Sequence, residues 1–210
     1  MQTLGELVSI WRYPVKSLAP QALNETSVER DGLPGDRTQA LIVERGHARA
    51  GKTYRGKENN ALHLLADADA AARSARDRNV DVRLDAAQAH YFDAAPVSIV
   101  FDAWLADASR LVGYDLEPLR FRPNFFARSA PDFAGSEADY TGAVLHIGGA
   151  VLEVRKPIER CATPTYDLAT GEADPAVLRA IAQHRGTYLG IYCDVVEPGT
   201  VRAGDRIERA

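Results

Sequence analysis

Short runs in which apolar and polar residues alternate recur along this chain, and that period of two predicts strands. Val8–Tyr13 is one such run, stopped by Pro14, and Ala22–Val28 carries a weaker one. Thr38–Val43 is an apolar run short enough for a buried strand, and Val80–Leu84 is shorter still. Val144–Ile147 and Val151–Val154 face each other across Gly148-Gly149 as the arms of a hairpin. The second arm reads as a strand over Ala150–Arg155 that Lys156-Pro157 closes. Tyr188–Val196 is a further strand, and Val201 and Ile207 begin the last two.

Helical spacing is rarer. Asp67–Arg78 is alanine-rich, with Asp67 as its N-cap. Pro96-Val97-Ser98 opens a longer helix whose buried face carries Phe101, Trp104, Leu105, Ala108, Leu111 and Val112, with Ser98 as cap and Gly113 as terminator. Asp174-Pro175 caps a short helix through Gln183 whose apolar positions are Val177, Leu178 and Ile181. In Leu119–Phe126 arginines alternate with apolar residues, which predicts a strand carrying Arg120 and Arg122 on one face until Pro123 breaks the ladder. His47–Asn60 reads as a long exposed loop. Many short strands and few helices give a mainly β, α+β fold that is barrel-like.

Composition narrows the classes of function. A net charge of −4 gives no overall attraction for nucleic acid or an anionic membrane, so any anion site must be a local cluster. No apolar run approaches the roughly 20 residues that span a bilayer. The N-terminus lacks the layout of a signal peptide. Two cysteines, too far apart for a CxxC motif, are no disulfide framework; the expectation is a soluble, cytoplasmic protein.

Candidate chemistry gathers where elements end. Cys161 follows Arg160 at the mouth of a turn-rich segment; a neighbouring cation favours a thiolate, although a free cysteine is also often simply buried. Lys16 and Ser17 sit where the first strand gives way to loop, Arg37 closes the turn cluster Asp31–Arg37, and Arg122 and Asn124 flank Pro123. With Ser98 and Arg160, these cations, hydroxyls and an amide suit an anionic ligand rich in hydrogen-bonding groups, and a thiolate suits a transition metal. Taken singly, each cation also reads as an ordinary surface charge. Cys193 lies among apolar neighbours and reads as packing, and His63 and His90 read as structural or surface histidines.

Four of these stretches, Tyr13-Pro14-Val15-Lys16-Ser17, Gly32–Arg37, Arg120–Asn124 and Arg160-Cys161 with Thr170-Gly171, resemble the MOSC proteins. These are the C-terminal domain of molybdenum cofactor sulfurases and its stand-alone relatives. The order, with an N-terminal β-barrel-like region at 1–95 and a MOSC domain at 96–210, resembles the mitochondrial amidoxime-reducing component and its bacterial counterparts. The resemblance implies a molybdenum cofactor, a pterin dithiolene with a phosphate tail. Cys161 would ligate the molybdenum and serve catalysis, and Lys16, Ser17, Arg37, Arg122 and Asn124 would bind the cofactor, with Arg160 and Ser98 beside them. The implied activity is reduction of N-hydroxylated or N-oxide compounds by oxygen-atom transfer, with a separate electron-transfer protein as partner because no flavin, haem or Fe–S motif is visible. Two alternatives stand beside it: a sulfur carrier using a persulfide on Cys161, and a non-catalytic cofactor-binding protein. No pyridoxal phosphate domain is visible, so cysteine desulfuration is not expected.

Overall fold

Strand β1 (Gln2–Arg12) is long enough to pair with three others. In the computed structural model, which describes residues 1–210, it meets β12 (Arg206–Arg209) along its first half, β7 (Phe125–Ser129) along its middle and β2 (Gln21–Leu23) at its end. The β1–β12 pairing closes a seven-stranded barrel in the order β12, β8 (Val144–Ile147), β9 (Ala150–Glu159), β10 (Tyr188–Glu197), β6 (Val97–Phe101), β7, β1. Every neighbouring pair is antiparallel except β6 and β7, which run parallel and are joined by α2 (Asp102–Val112). The period of two sends Leu4, Leu7, Ile10, Ile99, Phe101, Phe125, Leu145, Ile147, Leu152, Val154, Ile191, Cys193 and Ile207 into one barrel core. Burying each large aliphatic side chain stabilises the fold by about 1.5–3 kcal/mol, so the barrel interior is the main source of stability.

Two smaller cores lie outside the barrel. Helices α2 and α3 (Pro175–Arg185) cover β6 and β10 through Val100, Leu105, Ala108, Val177, Ile181 and Leu189. Helix α1 (Ala68–Arg76) packs Ala71 and Ala75 against the ribbon of β4 (Ala40–Gly46) and β5 (Val80–Asp85). That unit also buries Val15 and Leu18, which follow β1, and so fixes the loop carrying Lys16 and Ser17. A last ribbon pairs β3 (Glu25–Val28) with β11 (Gly199–Arg202).

The expected caps are present: Asp67 accepts from the Ala70 amide, Asp174 accepts from the Ala176 amide, and Gly113 ends α2 in the left-handed conformation. Four expectations need correcting. Residues 97–101 form β6 instead of opening a helix, because Val100 packs under the helices while Ile99 and Phe101 fill the barrel, so both faces are apolar and no alternation shows. Helix α2 therefore starts at Asp102, and Ser98 is no cap. Leu119–Phe126 is not one strand: Pro118–Phe121 makes a 3-10 turn, Arg122 adopts φ 51°, and the strand begins only at Phe125. Strand β9 continues through Pro157 to Glu159, since β8 pairs with it only as far as Glu153 and leaves β10 as its sole neighbour there. Finally, the 47–60 loop is not wholly exposed, because Tyr54 and Asn59 are buried.

Candidate functional site: a cationic cleft floored by the barrel

The residues that follow β1 and precede β7 meet through Tyr13, which is fully buried. Its amide donates to Asp36 Oδ1 at 2.7 Å, its carbonyl accepts from the Arg37 amide at 2.7 Å, and its hydroxyl donates to the Pro123 carbonyl at 3.1 Å. Its ring carries two guanidiniums, with Arg37 Cζ 4.5 Å and Arg122 Cζ 4.3 Å from the centroid. Burial pushes the Tyr13 phenol up to about 12, against the pull of Arg122 and Arg37, so the ring stays neutral and holds the cations through its face.

Each cation differs in its partners. Arg37 pairs with the buried carboxylate of Asp36 and also donates to Asn124 Oδ1 at 3.3 Å and the Arg122 carbonyl at 3.1 Å. Arg122 donates only to the Leu18 carbonyl, at 2.7 Å. Arg160 donates to the Leu189 and Phe121 carbonyls. Neither Arg122 nor Arg160 has a carboxylate partner, and burial lowers each to about 10. Both remain charged at neutral pH, but the fold bears their desolvation without an internal anion to offset it. Lys16 pairs with Asp93 at 2.5 Å.

Backbone strain gathers at the same place. Five non-glycine residues have positive φ, and Ser17, Arg37 and Arg122 are three of them. Such conformations cost about 1–3 kcal/mol each and persist where the surroundings over-determine them. Glycine is needed at two close approaches. At Gly190 a Cβ would stand 2.8 Å from the Ile99 carbonyl oxygen and 3.0 Å from Arg160 Nη2; at Gly56 one would meet the Tyr166 ring at 2.8 Å. The first leaves room for Arg160, and the second lets the 163–172 loop close on the 47–60 loop. His63, whose Nε2 donates to the Asp167 carbonyl at 2.8 Å, reinforces that closure.

A cavity of about 160 Å³ results, and all eight residues singled out from the sequence, Lys16, Ser17, Arg37, Ser98, Arg122, Asn124, Arg160 and Cys161, line it. Their places in it differ. Ser98 and Asn124 are buried and satisfy each other: Ser98 Oγ donates to Asn124 Oδ1 at 2.9 Å and accepts from the Asn124 amide at 3.0 Å, while Asn124 Nδ2 donates to the Trp11 carbonyl. They lock β6 to β7 and orient Arg37. Cys161 is exposed, with Sγ 3.3 Å from Thr163 Oγ1. Cys193 lies within β10 and points into the barrel, where burial pushes its thiol far up.

Sequence reasoning missed His63, Tyr166, Arg55, Asp93 and Tyr192, which also line the cleft. Tyr192 was reachable from alternation alone, because it lies opposite Ser98 and must face away from the barrel if Cys193 faces in. Arg120, expected beside Arg122, is instead held by Glu117, Asp167 and the Tyr166 carbonyl.

The MOSC domain family matches residues 86–208, and the MOSC N-terminal beta barrel domain matches residues 4–95. The chain belongs to the MOSC family. Two solved structures share its fold. The YuaD protein from Bacillus subtilis is 18% identical, with 99% of this chain and 96% of that one covered and a TM-score of 0.60. YiiM from Geobacillus stearothermophilus is 13% identical, with 100% and 74% covered and a TM-score of 0.50. No curated protein sequence matches the chain significantly.

The MOSC family is associated with the molybdenum cofactor, and the donor set of this cleft is compatible with it. No group of three or more His, Cys, Asp or Glu side chains could cage a bare metal ion. One exposed thiol, uncompensated guanidiniums and a lysine instead fit a metal that brings most of its own ligands on an anionic carrier. No helix is long and apolar enough to cross a membrane.

Proposed function

We propose that this MOSC protein binds a molybdenum cofactor in the cleft and reduces N-hydroxylated or N-oxide compounds. The observation that carries the reading is the pair of half-buried, desolvated guanidiniums, Arg122 and Arg160, with no carboxylate partner and a free thiol in the same cleft. Arg37, Arg122 and Lys16 would hold the anionic tail, Arg160 the portion nearest the sulfur, and Cys161 would supply the protein's ligand to the metal. When bound, the cofactor would supply oxygen-atom-transfer chemistry, and a separate electron-transfer protein would supply the electrons. The chain's own part is to bind, orient and exclude. Tyr13 keeps two guanidiniums at a fixed separation, and Ser98 with Asn124 holds the floor rigid. The two loops that meet at Gly56 and Tyr166 shape the way in for substrate.

The test is metal analysis of protein purified from a host that makes the cofactor. Near-stoichiometric molybdenum in the wild type, sharply reduced in Cys161→Ser, is the expected result. A wild-type protein free of molybdenum, carrying a persulfide on Cys161 after exposure to a sulfur donor, would replace this reading with a sulfur carrier.

A further inference from the structure

Two carboxylates line the cleft, Asp93 and Glu159, and only Asp93 is paired with a cation. It sits on residues 86–96, an irregular strap between β5 and β6. The strap is fastened on both sides of Asp93. On one side the Tyr91 amide donates to the Arg37 carbonyl at 2.6 Å and the Tyr91 hydroxyl bonds Asp85. On the other the Ala94 carbonyl accepts from Arg155, which also pairs with Asp194, and Ala95 is buried. Between these anchors the Asp93 side chain remains 69% exposed, while its partner Lys16 is 17% exposed. An open carboxylate has therefore been laid over a recessed ammonium, at the mouth of a cleft in which Arg122 and Arg160 have no carboxylate partner.

We propose that Asp93 is a built-in counter-anion: its carboxylate occupies the seat at Lys16 that the ligand's anionic group must take, so that binding exchanges one for the other. The inference rests on the cleft being an anion site, as proposed above, and adds which residue competes for it. Partial desolvation at the cleft mouth opposes ionisation of Asp93, yet Lys16, and then Arg37 and Arg55, hold its carboxyl below the ordinary range. The competing anion is thus present at any neutral pH. Displacement is cheap, because an exposed ion pair contributes little and the two anchors do not depend on it. Ligand-free, the carboxylate offsets part of the positive charge that Lys16, Arg37 and Arg122 bring together.

A different role for Asp93, holding the Lys16 ammonium in position for the ligand, predicts the opposite sign. The two are separated by calorimetric titration of inorganic pyrophosphate into the full chain purified from a host that makes no molybdenum cofactor. Asp93→Asn should bind about five-fold more tightly than the wild type, the scale of one exposed ion pair, while Lys16→Ala and Arg122→Met bind more weakly. Unchanged or weaker binding by Asp93→Asn, with the Lys16 and Arg122 effects intact, would overturn the counter-anion and leave the anion site standing. Binding that none of these substitutions alters, or no binding by any form, would overturn both.

Discussion

Two clusters of half-buried guanidinium in this molecule have opposite electrostatics. Where α2 and α3 meet, Arg185 is 10% exposed and lies between two carboxylates, bonding Asp107 and meeting Glu137 at 2.6 Å. Glu137 is itself buried and also accepts from the Gly190 amide. That cluster is closed: Arg185 and Arg110, which shares Asp107, are matched by the two carboxylates, and it ties helix to loop. In the cleft, Arg122 and Arg160 lie half-buried beside Arg37 with carbonyl oxygens and an aromatic face as partners, and Asp36 balances only one of the three. The structural Arg185 and the arginines proposed to bind a ligand differ in whether the fold supplies the anion.

The comparison can be broken most sharply at its closed end. Glu137→Ala should destabilise the fold by about 3 kcal/mol in urea unfolding, at the lower end for a broken buried pair because Asp107 still holds Arg185. A loss below about 1 kcal/mol would mean that this cluster is as unconstrained as the cleft. The two cysteines give the next contrast. Cys193→Ser places a hydroxyl in the barrel core and should cost about 1–3 kcal/mol, whereas Cys161→Ser should stay within about 0.5 kcal/mol. Equal losses in thermal unfolding would contradict the division between packing thiol and site thiol.

Arg122→Met sharpens the open end. Removing an uncompensated buried charge should leave ligand-free stability within about 1 kcal/mol of the wild type, since the lost bond to Leu18 is offset by relief of desolvation. Destabilisation comparable to Glu137→Ala would make Arg122 structural. The smallest expected effect concerns His63, whose pKa is lowered from 6.5 by burial despite hydrogen bonds to the Asp167 and Asn60 backbone, with Arg122 adding to the depression. The unfolded chain then binds more protons than the folded one as pH falls through 6.5, so stability should decline on acidification below that point. His63→Gln should flatten this segment of the pH–stability curve; an unaltered curve would assign the decline to other groups.

Much of the architecture could be read from alternation, because the barrel strands bury one face. The arms on either side of Gly148-Gly149, the run containing Cys193 and the caps Asp67 and Asp174 were all legible that way. Strand β6 was not, since helices cover the face that would otherwise have been polar. Around Arg120 the sequence imitates a strand, yet Pro118 starts a 3-10 turn and the left-handed Arg122 reverses the chain before Pro123. The site was legible as motifs placed at element ends. Its cohesion was not, because that depends on Tyr13 lying beneath residues 37 and 122, and on Asp93 crossing the mouth from a segment without periodicity.

X-ray absorption at the molybdenum edge of protein purified from a cofactor-competent host tests the central claim most directly, because it counts the sulfur atoms around the metal. The wild type should show one sulfur more than Cys161→Ser purified with whatever molybdenum that variant retains. An identical sulfur count in the two proteins would contradict the assignment of Cys161 as the metal ligand.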